Sequence, residues 1–165
     1  MSDGMASLPA SLRTVAMRPL LILRLQVAPA VELGGTPAGG RRVATVQCGT
    51  FDGAEEGLSG RVHPGGTDWI SLTADGATHL DARILLETGS GDTVAMSYRG
   101  IRHAPPDVLR RLAANEAVDP AEYYFRTAPR FETGSARFGW LNRVVAIGAG
   151  QKLPDGVLYN VFEVL

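Results

Sequence analysis

From Leu20 to the C-terminus, short runs of extended-type residues alternate with glycine- and proline-marked turns at nearly regular intervals. That rhythm constrains the fold most, because short strands spaced by turn signals build an all-β sandwich or barrel. The runs fall at residues 19–28, 41–51, 58–62, 67–74, 78–88, 93–101, 123–131, 138–147 and 157–164. HPGG closes the third run, Asp75-Gly76 marks a tight hairpin, and GSGD turns the chain after Thr88. ELGGTPAGG, residues 32–40, reads as a loop. One helix is expected, in HAPPDVLRRLAANE: the prolines suit a first helical turn and Asp107 its positive end. Val108, Leu109 and Leu112 then share a face that packs on the sheet.

No repeat or composition shift divides the chain, so residues 17–165 read as one domain. Residues 1–16 are weakly patterned and read as a disordered leader, with Met17 an alternative start. A chain of 165 residues can bury a sizeable core. A net charge of −1 supplies no global field for nucleic acid or an anionic membrane. No apolar run reaches the length of a membrane span. PLLILRLQVAPA is interrupted by Arg24 and reads as a first strand rather than a signal peptide, so a cytoplasmic location is expected. The single cysteine, Cys48, excludes an internal disulfide and reads as a small buried hydrophobe.

Strand periodicity groups the polar residues that carry chemistry. In HLDARILLE, Asp81 and Arg83 share a face about 7 Å apart, opposite Leu80, Ala82, Ile84 and Leu86. Two readings stay open: a solvated outer surface, or the polar lining of a barrel wide enough for one small ligand. Asp68 and Trp69 stand at a strand entrance after PGG. In YYFRTAPRFET, Tyr124 and Arg126 share a face, Pro129 is expected to break the ladder into a bulge, and Glu132 resumes the strand beyond. Phe138, Trp140 and Asn142 are expected on one face of the 138–147 strand, where an amide beside tryptophan suits a ligand pocket. His63, His79 and His103 lack metal-ligand spacing. There is no P-loop, dinucleotide fingerprint or nucleophile elbow, so no metal or organic cofactor is expected.

PGGTDW, LDARI, GIRHAPPDVL and AEYYFRTAPRFETGSARFGWLNRVVAIGAG together resemble the bacterial and fungal family known as domain of unknown function 3237. The resemblance runs from about Pro19 to the end. It implies a closed or nearly closed antiparallel barrel of about eight strands, lipocalin-like or allene-oxide-cyclase-like, assembled as a dimer or larger homo-oligomer. Residue by residue it selects Asp68, Trp69, Asp81, Arg83, Tyr124, Arg126, Glu132, Trp140 and Asn142, and favours the interior reading. The leader and Cys48-Gly49 depart from the family pattern.

The function expected from these residues is a cofactor-independent enzyme on a small aromatic or polyketide-like carbonyl compound, of isomerase, cyclase or lyase type, and the resemblance implies a place in secondary or aromatic metabolism. Asp81 or Glu132 would move the proton and Arg83 and Arg126 would hold a carboxylate or enolate. Asp68, Trp69, Tyr124, Trp140 and Asn142 would bind the substrate. The alternatives are a barrel that binds a small acidic aromatic ligand without catalysis, and a filled barrel serving only oligomerisation.

Overall fold

One long strand closes the sheet. In the computed structural model, which describes residues 3–165, β3 (Gly39–Gly53) has partners along both edges. Its first half pairs with β2 (Val31–Thr36) and β5 (Thr67–Leu72), its second half with β1 (Met17–Val27) and β4 (Ser59–Val62). Around the ring follow β6 (Thr78–Thr88), β7 (Thr93–His103), β8 (Tyr124–Glu132), β9 (Ala146–Leu153) and β10 (Gly156–Val164), which returns to β1. β4 and β5 share one place between β3 and β6. The result is a closed eight-stranded antiparallel barrel with two extra strands, and closure leaves the ring no free edge to aggregate.

Alternation decides the core. β6 reads strictly in and out: Leu80, Ala82, Ile84 and Leu86 are buried, and the residues between them are not. β8 does the same with Phe125, Thr127, Pro129 and Phe131. At one end of the barrel Leu58, Leu86, Val94, Met96 and Phe131 pack with Phe138 and Leu141, so that end is plugged by apolar side chains. Midway, the Phe125 ring lies over Gly150, where any Cβ would overlap it; glycine there is a packing requirement. Phe125 and Tyr98 each meet Tyr159 edge to face, with centroids 5.4 and 5.3 Å away.

The far end is flanked by the helix α2 (Pro106–Ala113), which follows β7 directly. It buries Val108 and Leu112, and Leu109 is half-buried beside Gly76 of the β5–β6 turn, where φ is +84°. Ahead of the barrel, α1 (Asp3–Ala6) and a 3-10 turn at Ala10–Leu12 precede β1, and the 3-10 turn buries nothing.

Four local expectations change. Residues 32–40 form a hairpin rather than a loop, with Thr36 opposite Gly39 and Gly35 opposite Gly40. Cys48 is exposed, its thiol 2.9 Å from the Gln26 side chain. Val27 pairs with Val46 but Gln26 with Cys48, so a bulge at Gln47 turns Cys48 to the outer face. Pro129 makes no bulge, because β8 stays in register with β7 throughout. Its ladder to β9 covers only Arg126 and Thr127, so beyond them a residue without an N–H is tolerated. Residues 139–143 form a 3-10 helix, not a strand, and β9 starts only at Ala146.

Candidate functional site

The same alternation places the residues singled out from the sequence. Asp81 and Arg83 on β6, and Tyr124, Arg126 and Glu132 on β8, point out of the barrel, because their apolar neighbours occupy the inside. The expectation of a lumen lined by these five is thereby corrected: periodicity joins each pair on one face, and closure turns that face outward. Trp69 also faces outward, 45% exposed, with the Arg41 guanidinium 5.9 Å from its ring centre. Asp81 lies 3.7 Å from Arg99. Tyr124 stacks on His103 at 4.9 Å, and Arg126 sits over Tyr124 at 5.2 Å while donating to the Phe125 carbonyl.

Trp69, Asp81, Tyr124 and Arg126 line one outer hollow of about 800 Å³; Arg83, Glu132 and Asn142 line a second of about 680 Å³. Trp140 and Asn142 do not project side by side from a strand. Trp140 is half-buried against the core. Asn142 clamps the chain after β8: its side chain accepts from the Thr133 N–H at 2.8 Å and donates to the Thr133 carbonyl at 2.9 Å. That amide is satisfied by backbone, as a loop pin needs.

Of the nine, Asp68 alone points inward along the strands. β5 and β6 pair at Asp68–Ala82 and again at Ser71–His79, with a gap between. In that gap the Asp68 carboxylate accepts the N–H of Asp81 at 3.1 Å. Burial pushes the Asp68 pKa up to about 6, against the lowering effect of that hydrogen bond and of Arg102 and Arg42. Arg102 follows Val94, Met96, Tyr98 and Gly100 on the inward face of β7, and Arg42 precedes Ala44 and Val46 on that of β3. The Nε of each guanidinium is buried and, among the described residues, has no hydrogen-bond partner. Burial lowers the Arg102 pKa, and Arg42 beside it lowers it further.

Two phenols and an amine complete the cluster. Burial raises the Tyr98 pKa, and Asp68 adds to the effect; Tyr159 is raised well above the phenol range by burial and by Tyr98. Both therefore stay protonated near neutral pH. Burial, Arg102 and Arg42 lower the pKa of Lys152, whose ammonium donates to Asn115 at 2.6 Å beyond α2. Tyr123 accepts the backbone N–H of Lys152 at 2.9 Å. The helix-flanked end of the barrel thus holds three cations, one carboxyl near its titration midpoint and two neutral phenols. Such a set can bind an anionic oxygen, move a proton to or from carbon, and hydrogen-bond a carbonyl.

Sequence reasoning passed over Arg42, Arg102, Lys152, Tyr98 and Tyr159. The available signal was a charge interrupting an apolar face, as Arg102 does after Val94, Met96 and Tyr98, rather than charges paired on a polar one.

Comparison with known proteins agrees with the architecture. The chain is 33% identical to the UPF0311 protein RPA1785 of Rhodopseudomonas palustris, over 92% of this chain and 98% of that one. The crystal structure of RPA1785, a conserved protein of unknown function, superposes with a TM-score of 0.85 at the same coverage. A β-barrel-like protein from Acinetobacter baumannii is 34% identical with a TM-score of 0.79, covering 92% of this chain and 97% of that one. An enzyme from Penicillium herquei shares the fold at 22% identity and a TM-score of 0.67, covering 92% and 95%. The family described as Protein of unknown function (DUF3237) matches residues 15–164, and the chain belongs to it.

Proposed function

We propose that the helix-flanked end of the barrel is the active site of a cofactor-independent isomerase, cyclase or lyase acting on a small carbonyl compound with an acidic group, of aromatic or polyketide-like type. The observation that carries this reading is Asp68: a desolvated carboxyl with pKa about 6, facing two arginines whose Nε atoms have no partner among the described residues.

Asp68 takes a proton from the carbon next to the carbonyl, and the C–H electron pair becomes an enolate. Arg102 or Arg42 stabilises the enolate oxygen, with the Tyr98 or Tyr159 hydroxyl donating to it. Protonated Asp68 then returns the proton to another carbon, or the enolate re-forms its carbonyl while expelling a β-substituent that leaves with the proton from Asp68. The remaining guanidinium and Lys152 hold the acidic group. Tyr98, Phe125 and Tyr159 supply the aromatic wall that suits a planar substrate. The proton-moving role expected of Asp81 or Glu132 passes to Asp68, since those two carboxylates lie across the barrel wall from the cluster. The Penicillium herquei protein of similar fold is described as an enzyme, which is compatible with catalysis on such a barrel.

The test is solvent-deuterium exchange at the α-carbon across a panel of aromatic β-keto acids, followed by NMR. Wild-type protein should exchange, with a rate that rises as pH passes about 6 and then levels, since the base must be ionised. Asp68→Asn should lose on the order of 100-fold or more, and Asp81→Asn little. Equal exchange by wild type and Asp68→Asn would overturn the assignment. Thermal stabilisation by a panel member without exchange would leave a binding barrel instead.

A further inference from the structure

The outer hollow is a site of a different kind. Strand register lines up one residue from each of five neighbouring strands: Arg41 opposite Ser71, Ser71 opposite His79, His79 opposite Ile101, and Ile101 opposite Arg126. This row runs across the outer wall with an arginine at each end and no Lys, Arg, Asp or Glu between. Four inter-strand spacings of about 4.8 Å separate the two arginine backbones by about 19 Å, and the side chains can lean inward from there.

Both arginines are held in place by aromatic rings. Arg41 lies over Trp69; Arg126 lies over Tyr124, itself backed by His103, and uses one donor on the Phe125 carbonyl. Among the described residues neither has a carboxylate within salt-bridge distance, whereas the third arginine of the hollow, Arg99, is matched by Asp81. Two guanidiniums pre-positioned without counter-charge are poised for anions. Between them along the row the hollow offers Ser71, His79 and Ile101, with the backbone of Gly100 beside them, and its volume of about 800 Å³ suits a small molecule. Tyr124 has its ring faces taken by His103 and Arg126, which disfavours stacking of successive nucleic-acid bases.

We propose that this hollow binds a small elongated molecule with an acidic group at each end and an uncharged middle, one acid on Arg41 and the other on Arg126. The site is separate from the cluster around Asp68 and does not depend on that cluster's being catalytic.

A homologous series of α,ω-dicarboxylic acids, from succinate to hexadecanedioate, tests it by calorimetric titration against monoacids of equal length. Affinity should peak at one intermediate chain length, and the matching monoacid should bind about tenfold or more weakly. Arg41→Gln and Arg126→Gln should each reduce the best diacid to the monoacid's level, and Arg102→Gln should change nothing. Both substitutions lie on the outer face, and a circular dichroism spectrum checks that each variant is folded. Affinity rising steadily with chain length for diacids and monoacids alike would overturn the proposal. So would no binding by any member, or binding lost in Arg102→Gln and kept in Arg41→Gln.

Discussion

Asp68 and Asp81 are one hydrogen bond apart and belong to different environments. The carboxylate of Asp68 accepts the backbone N–H of Asp81, yet their side chains leave opposite faces of the same wall. Asp68 faces the barrel interior, loses hydration, and titrates near pH 6. The Asp81 side chain is 43% exposed and meets Arg99 in solvent. Residue type is the same and the distance is small, so the barrel wall itself is the boundary between reactive and ordinary. Chemistry on this fold is a matter of which face a side chain takes, and each contrast across the wall can be tested.

The largest expected contrast is in packing, between consecutive residues of β8. Phe125 is 2% exposed and fits against Gly150, Tyr159 and Arg102; Tyr124 is 45% exposed. Phe125→Ala should cost about 3–5 kcal/mol in chemical denaturation, because the emptied volume cannot collapse between strands held in register. Tyr124→Ala should cost below about 1 kcal/mol, chiefly the stacking on His103. Comparable losses at the two positions would mean that the outer wall is covered in solution.

Next comes the pH dependence carried by Asp68 inside the wall. The folded-state pKa of Asp68 is raised from 3.8 to about 6, so its contribution to stability is fully present below pH 3.8 and is lost as pH rises through about 6. A difference of about 2 pH units corresponds to at most about 3 kcal/mol of stability lost over that window. Asp68→Asn keeps an acceptor for the Asp81 N–H and removes the titration. The variant should therefore be more stable than wild type at pH 7 to 8 by up to about that amount, with the difference vanishing near pH 4. If Asp68→Asn is destabilised at pH 8, the carboxylate is stabilised by its arginines more than burial opposes it.

Why some of this is legible in the sequence and some is not follows from which forces are local. The run at 78–88 coincides with β6, because uninterrupted alternation over a long strand has one solution. The Asp75-Gly76 turn is equally plain, since it needs the positive φ that glycine adopts. The outward sense of Asp81 and Arg83 was not settled by spacing. A period of two says which residues share a face, and only closure says which face is inside. Pro129 signals an interrupted ladder, but the neighbouring ladder has already ended, a fact set by where β9 begins. Phe138, Trp140 and Leu141 look like strand residues, yet the clamp from Asn142 to Thr133 and the bond from Arg137 to the Glu56 carbonyl hold a helical turn there. The interior cluster draws one residue each from β3, β5, β9 and β10 and two from β7, so no short window contains it.

The smallest contrast is electrostatic and the most sensitive to what touches the outer face. A surface ion pair at 3.7 Å with an 85% exposed arginine is worth below about 1 kcal/mol, because solvent screens it and ordering two side chains costs entropy. A double-mutant cycle with Asp81→Asn and Arg99→Gln should give a coupling in that range, falling further as salt is raised. A coupling of about 2 kcal/mol or more, insensitive to salt, requires a desolvated pair. Desolvation at that spot needs something lying over the hollow, and a second copy of the chain would also cover Trp69 and Ile101, which face outward on either side. Repeating the cycle at several protein concentrations separates the cases: a covering copy makes the coupling grow with concentration, and a bare wall leaves it constant.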